Sequence, residues 1–342
     1  MNDGLRPDAG LDEPYVSTGH LPPVERVEHL LLEAYRRFSP VTEGRNSDVY
    51  PALARVPPEL FGLAVAGVGG DIHALGDADH PFTIMSISKP FVFALVCQAR
   101  GAEPVRQTLG VNATGLPFNA LSAIERSPDG RTNPMVNSGA IAATALVPGS
   151  STEERWSFIR EGLSAFAGRP LSLDEDVLAS ATATNARTQS MARLLQSYGR
   201  LELAPEEAAD LYTRQCTLSV TAEDLAVMGA TLADGGVNPI TRVRVVDALT
   251  CRYTLAVMTT AGLYETSGDW LFDIGLPGKS GIGGGILAVA PGKGALGTFA
   301  PPLDEFGNSV KGQLVARFLS ERLGLNLFVS DVAQQSVLSA PQ

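Results

Sequence analysis

The chain has 342 residues, 44% of them hydrophobic and 18% charged, with a formal net charge of −11. That length and balance describe a globular chain able to bury a large core, in one large domain or two smaller ones. An acidic chain without a basic cluster has no electrostatic footprint for nucleic acid or an anionic membrane, so small molecules and proteins are the partners to expect.

Residues 1–21 combine Gly, Pro and Asp without periodicity and are expected to form a disordered lead. The opening MNDGLRPDAGLDEPY lacks the basic and apolar regions of a signal peptide, and no apolar run approaches the roughly 18 residues needed to span a bilayer. Cys97, Cys216 and Cys251 are odd in number and far apart, which fits a reducing cytoplasm. His20, His29, His73 and His80 have no ligand spacing, so neither a metal nor any other cofactor is expected.

The segment VERVEHLLLEAYRRF places Val24, Val27, Leu30, Leu31 and Ala34 on one face of an amphipathic helix. FGLAVAGV and DIHALGD, joined around Gly69 and Gly70, read as a hairpin. The sequence TIMSISKPFVFAL then runs Phe91 to Val96 without a polar face, which predicts a helix buried on all sides, with Pro90 tolerated in its first turn. Ser86 and Lys89 stand three residues apart at its start, close enough to touch; Ser88 is adjacent to the lysine and points elsewhere. A lysine drawn out of water there loses its proton more easily and can activate the hydroxyl as a nucleophile. The plainer reading of that tetrapeptide is a helix cap beside a snorkelling lysine, and S-x-x-K alone does not decide between them.

From there to about residue 240 the chain reads as helix and loop, including TAEDLAVMGATLADGG with Thr221 and Asp224 as a capping pair. A helix near 243–260 follows, then GGGILAVA, the turn PGKG and ALGTFA as a second hairpin, and VKGQLVARFLSERLGL as a closing helix before a frayed tail at 331–342. The expected fold is mixed α/β, of the α+β kind: one antiparallel sheet built from both ends of the chain, flanked by helices, with an inserted helical subdomain. The expected division of the single 22–330 domain is a sheet part at 22–82 and 241–330 and a helical part at 83–240.

The Gly-rich run GLPGKSGIGGG fits neither nucleotide motif. A phosphate-binding loop would require glycine where Asp273 stands, and a dinucleotide fingerprint from Gly281 would require it at Ile286. Lys279-Ser280-Gly281 at a strand start, together with S-x-x-K at a helix start, is instead the pair that marks serine acyl-transfer enzymes of the penicillin-recognising class.

Over roughly residues 48–312 the chain resembles the serine-dependent glutaminases, whose fold is β-lactamase-like. The resemblance rests on FTIMSISKPF, PFNAL, TNPMVNSGAIAATAL, YTRQCTLSVT, DGGVNPIT, AGLYETSGDW, GLPGKSGIGGGILAVAPGKG and FAPPLDEFGNSVKG. It implies that Ser86 attacks the side-chain carboxamide of glutamine to form a glutamyl ester, that ammonia leaves, and that water regenerates the serine. Lys89 would be the base and Tyr264 a proton carrier. Asn137 and Tyr212 match substrate-contacting positions, and the N–H of Ile282 would complete an oxyanion hole with that of Ser86. A homo-oligomer, dimer or tetramer, is also implied.

Three places depart from the pattern. In VLASATATNARTQSMARLL, Ala181 and Thr188 stand where the family has the Glu and Asn that hold the amino-acid end of glutamine, and a seven-residue spacing predicts one shared helical face. The pocket tyrosine expected near 49 is Val49, with Tyr50 next to it. Asn112-Ala113-Thr114-Gly115 replaces E-P-S-G. The readings left open are a glutaminase, an amidase or acyl transferase for another amide, ester or lactam, and a weakly catalytic binding protein.

Overall fold

The computed structural model describes residues 19–329; residues 1–18 of the expected lead at 1–21, residue 330 and the expected tail at 331–342 lie outside the described residues. Five antiparallel strands form the main sheet, in the order Ile72–Gly76, Gly62–Gly67, Gly294–Phe299, Gly285–Ala290, Gly278–Ser280. Both expected hairpins are present, and the sheet joins them by pairing Gly62–Gly67 with Gly294–Phe299, Val65 opposite Leu296. The sheet is thus assembled from both ends of the chain.

Alternation along the strands sorts two cores. Leu63, Val65, Ile286, Ala288 and Leu296 pack against the helices Val24–Phe38 and Val310–Arg322. Ala64, Ala66, Leu287, Val289, Ala295 and Phe299 turn to the other side, toward Ala222–Ala233. In the first helix Val27, Leu30, Leu31 and Ala34 are buried as their spacing predicts, but Val24 is 45% exposed. It is the first helical residue and lies outside the buried stripe, which Phe38 closes at the other end.

Ala222–Ala233 begins with a reciprocal cap: Thr221 Oγ1 accepts from the Asp224 N–H at 3.1 Å and the Asp224 carboxylate accepts from the Thr221 N–H at 2.8 Å. Small residues let this helix lie close against the sheet. A Cβ on Gly297 would fall 2.2 Å from the Ala222 carbonyl oxygen, a backbone atom that cannot rotate away.

The buried helix is Ser88–Arg100, enclosed from Ser88 through Cys97 by the helices Asn137–Ala145, Thr152–Ala167 and Ala248–Ala261. Immediately before it, Met85–Ile87 forms a 3-10 turn. A two-residue strand pair, Phe82–Thr83 with Ser219–Val220, and a bond from the Ile84 N–H to the Leu218 carbonyl at 2.9 Å fasten that turn beside the end of the Pro205–Cys216 helix. No helix among the described residues is long and apolar enough to cross a membrane.

Gly297→Ala is expected to destabilise the protein by about 1–3 kcal/mol, the usual range for overpacking a core. Urea unfolding followed by circular dichroism would measure it, and an unchanged midpoint would contradict the close helix–sheet approach.

Candidate active site

Ser86 lies in the 3-10 turn and Lys89 is the second residue of the following helix, so the three-residue spacing stacks one above the other. Lys89 Nζ donates to Ser86 Oγ at 2.7 Å and to Asn137 Oδ1 at 2.8 Å. Lys89 is 1% exposed and has no carboxylate among its hydrogen-bond partners, and burial lowers its pKa from 10.5 to about 8. The snorkelling alternative is excluded by that burial. Asn137 opens its own helix, with its N–H bonded to the Phe118 carbonyl at 2.9 Å, and its Oδ1 also accepts from Tyr212 Oη at 3.1 Å.

Tyr264 approaches from the other side. Its hydroxyl donates to the Ser280 carbonyl at 3.3 Å, and burial pushes its pKa up to about 12, so the phenol keeps its proton. Phe118 packs on its ring with centroids 4.2 Å apart. Met85 and Tyr264 have φ of 47° and 57°, two of the three non-glycine residues at positive φ among the described residues. Such strain persists only where the surroundings enforce it, and here it falls on the residue before Ser86 and on Tyr264.

Ile282 sits in the turn between Gly278–Ser280 and Gly285–Ala290. The glycines around it have a steric purpose. A Cβ on Gly281 would lie 3.0 Å from the Ile84 carbonyl oxygen and one on Gly283 would lie 2.9 Å from that of Thr83, so only a bare backbone can press this turn against the Ser86 turn. The Gly-rich run that fits no phosphate motif therefore serves close backbone approach.

These elements enclose a cleft of about 110 Å³ into which Ser86, Asn137, Tyr212, Ile282, Tyr50, Ala181 and Thr188 all face. Burial holds Tyr50 near a pKa of about 12 and raises that of Tyr212 well above its usual value. Val49, 54% exposed, also reaches the rim, so both residues near the expected tyrosine position line the cleft. Ala181 and Thr188 do not share one helix. The chain breaks at Thr184 (φ −123°, ψ 13°) and Asn185 between Glu175–Ala183 and Ala186–Ser197, and the two residues meet at the cleft from separate helices. Sequence reasoning missed Asn119, Cys216 and Met191 as lining residues, and Arg187, whose Nε and Nη2 donate to the Asn119 carbonyl at 3.0 and 2.8 Å. The lining contains no Asp or Glu.

A family model described as Glutaminase matches residues 44–328, a span that holds Ser86, Lys89, Tyr264 and Ile282. The chain belongs to the glutaminase family. It is 66% identical over 317 residues to a protein of Yersinia pestis named Glutaminase 2, covering 93% of each chain. Among solved structures, a probable glutaminase, ybaS, is 42% identical with a TM-score of 0.89, over 90% of this chain and all of that one. Mglu in its glutamate form is 40% identical with a TM-score of 0.83, over 88% of this chain and 69% of that one. These likenesses bear out the mixed α/β, β-lactamase-like fold expected from the sequence.

Asn137→Asp should place a carboxylate where the amide oxygen now stands 2.8 Å from Lys89 Nζ. An opposite charge at that distance favours the ammonium by about 1–3 pKa units. The ¹³Cε shift of Lys89, followed through a pH titration, would show the rise; no movement would mean that Asn137 does not contact Lys89 in solution.

Proposed function

We propose that this glutaminase-family protein hydrolyses the side-chain carboxamide of glutamine to glutamate and ammonia through an acyl-enzyme on Ser86. The observation that carries the reading is the 2.7 Å bond between a serine hydroxyl and a fully buried lysine with no acid partner. Lys89 in its neutral form takes the Ser86 proton as Oγ forms a bond to the carboxamide carbon. The carbonyl oxygen becomes an oxyanion facing the N–H groups of Ser86 and Ile282, an arrangement that lowers such barriers by several kcal/mol, about 3–4 for a single donor. Tyr264, still protonated, supplies the proton that lets nitrogen leave as ammonia. Water then attacks the glutamyl ester by the reverse proton path, and Ser86 recovers its proton. Asn137 and Tyr212 hold Lys89 and the substrate amide in register. No cofactor enters these steps. A homo-oligomer in a reducing cytoplasm belongs to the same reading, which the three unpaired cysteines support. So does the division into sheet and helical parts, with Ser86 at the seam between them.

Ser86→Ala should abolish ammonia release while leaving the circular dichroism spectrum unchanged, and Lys89→Met should do nearly the same. Because Lys89 acts as the neutral amine with a pKa of about 8, kcat/KM should fall about tenfold per unit as pH drops below that value. An active Ser86→Ala, or a rate flat across that range, would remove the assignment.

A second reading concerns the substrate's amino-acid end, and the acid-free lining favours it. Burying an ammonium without its partner costs several kcal/mol, and removing one member of a buried pair about 3–5 kcal/mol. Arg187 offers a cation to a carboxylate, while Ala181 offers only apolar surface to an ammonium. An amide whose α-position is uncharged, such as glutaramate, would then be preferred over glutamine. Restoring the partner by Ala181→Glu with Thr188→Asn should raise kcat/KM for glutamine and lower it for glutaramate. A preference for glutamine that the double substitution leaves unchanged would return the protein to plain glutaminase chemistry.

A further inference from the structure

Ser88, between Ser86 and Lys89 in the chain, is absent from the cleft lining, and the steps above leave it unused. It belongs to a polar chain that runs through the dry interior. Ser88 Oγ donates to the Met85 carbonyl at 2.8 Å and accepts from Gln215 Nε2 at 3.3 Å, and Gln215 Oε1 accepts in turn from Thr144 Oγ1 at 2.8 Å. Cys216 Sγ, 4.0 Å from Ser88 Oγ, is a weak further partner. Ser88, Gln215 and Thr144 are all completely buried, and they come from the helices Ser88–Arg100, Pro205–Cys216 and Asn137–Ala145, which also supply Lys89, Tyr212 and Asn137. Apolar side chains of like shape would fill this space at little cost in stability, so what the polar chain adds is a single fixed arrangement.

Its final acceptor shows what is fixed. The Met85 carbonyl receives both the Ser88 hydroxyl and the Ser88 N–H. That carbonyl and the Ser86 N–H belong to one planar trans peptide unit and point in opposite directions, so whatever holds the oxygen also aims the N–H. Met85 has φ 47°, whereas Ile84 at −60° and Ser88 at −63° are right-handed, and the peptide between Met85 and Ser86 is therefore turned against the run of the chain. A non-glycine residue relaxes from that conformation unless its neighbours hold it. Hydrogen bonds received at a carbonyl also polarise its amide, which makes the N–H a stronger donor.

We propose that Ser88 and Gln215 are positioning residues that aim the Ser86 N–H at the oxyanion, a role that rests on Ser86 being the nucleophile. Thr144 anchors Gln215, Gln215 holds the Ser88 hydroxyl, and Ser88 holds the Met85 carbonyl. The effect reaches the reaction through the Met85–Ser86 peptide, without contact between substrate and either side chain. A neutral amide oxygen asks less of this donor than an oxyanion does, so a loss of aim weakens the transition state more than the bound substrate.

The test is ammonia release by the full chain from the better of glutamine and glutaramate, comparing the unaltered protein with Ser88→Ala, Ser88→Thr and Gln215→Met. Ser88→Ala should lose roughly ten- to hundredfold in kcat, less than outright removal of an oxyanion donor, with KM within about twofold. Ser88→Thr retains the hydroxyl and should recover most of that loss. Gln215→Met should lose less than Ser88→Ala, and the two combined no more than Ser88→Ala alone, because Gln215 acts through Ser88. A boronic acid of the substrate's length forms a tetrahedral adduct on a serine; its affinity should fall in step with kcat/KM across the variants, while affinity for the carboxylate product holds. Equal losses in both affinities, or an unaltered kcat in Ser88→Ala, would reduce the polar chain to packing and overturn the proposal. Should Ser88→Ala fail to fold, the ¹H–¹⁵N signal of Ser86 in Gln215→Met still decides: its amide proton should move upfield as the Met85 carbonyl loses its hold, and an unmoved signal overturns the assignment. An active Ser86→Ala would instead fault the acyl-enzyme reading, whatever Ser88→Ala does.

Discussion

A lysine held out of water with no acid to neutralise it is the constraint around which this molecule is organised. Solvating Lys89 with a hydroxyl and an amide, in place of a carboxylate, is what leaves it able to release its proton near neutral pH. Everything nearby serves to keep water and negative charge away. The apolar run from Phe91 to Val96 supplies the dry helix, three further helices close round it, and the strand pair at Phe82–Thr83 fixes the turn that presents Ser86. An aspartate in place of Asn137 would give a more comfortable ion pair and a lysine that holds its proton more firmly.

The site is a junction of backbone turns more than a constellation on rigid elements. Ser86, Tyr264 and Ile282 all sit on tight turns, and two of these carry or adjoin a strained positive φ. What makes turns accurate enough is the lack of room around them. Gly281 and Gly283 bring one turn against the carbonyls of Ile84 and Thr83, and Gly262 packs against the Gly278 carbonyl so tightly that no side chain fits. Precision here comes from steric contact between main chains, which substitutions of surface residues cannot loosen.

Much of this was legible from the residues. The two hairpins, the amphipathic first helix, the all-buried Ser88 helix and the Thr221–Asp224 cap each carry a local pattern that physical chemistry reads directly. The pairing of Ser86 with Lys89 follows from their spacing. Less legible was whatever depends on distant chain segments meeting. Nothing local announces that Asn137 receives both Lys89 and Tyr212, that Cys216 and Arg187 reach the cleft, or that Lys279 lies over the Tyr264 ring. The seven residues from Ala181 to Thr188 predicted one continuous helical face; the non-helical backbone at Thr184 and Asn185 divides them between two helices that arrive at the same cleft.

The sheet's order has a consequence for how the chain comes to life. Gly62–Gly67 must wait for Gly294–Phe299 before its inner edge is covered, and Ile282 belongs to the same late-made segment. At synthesis rates of about 5–20 residues per second, roughly 10–40 seconds separate the emergence of Ser86 from that of the turn that faces it. Throughout that interval the nascent chain carries Ser86 and Lys89 but lacks the strand bearing Lys279 and the backbone that shapes the cleft. The cleft is therefore completed by topology alone, only when the last quarter of the chain has closed the sheet.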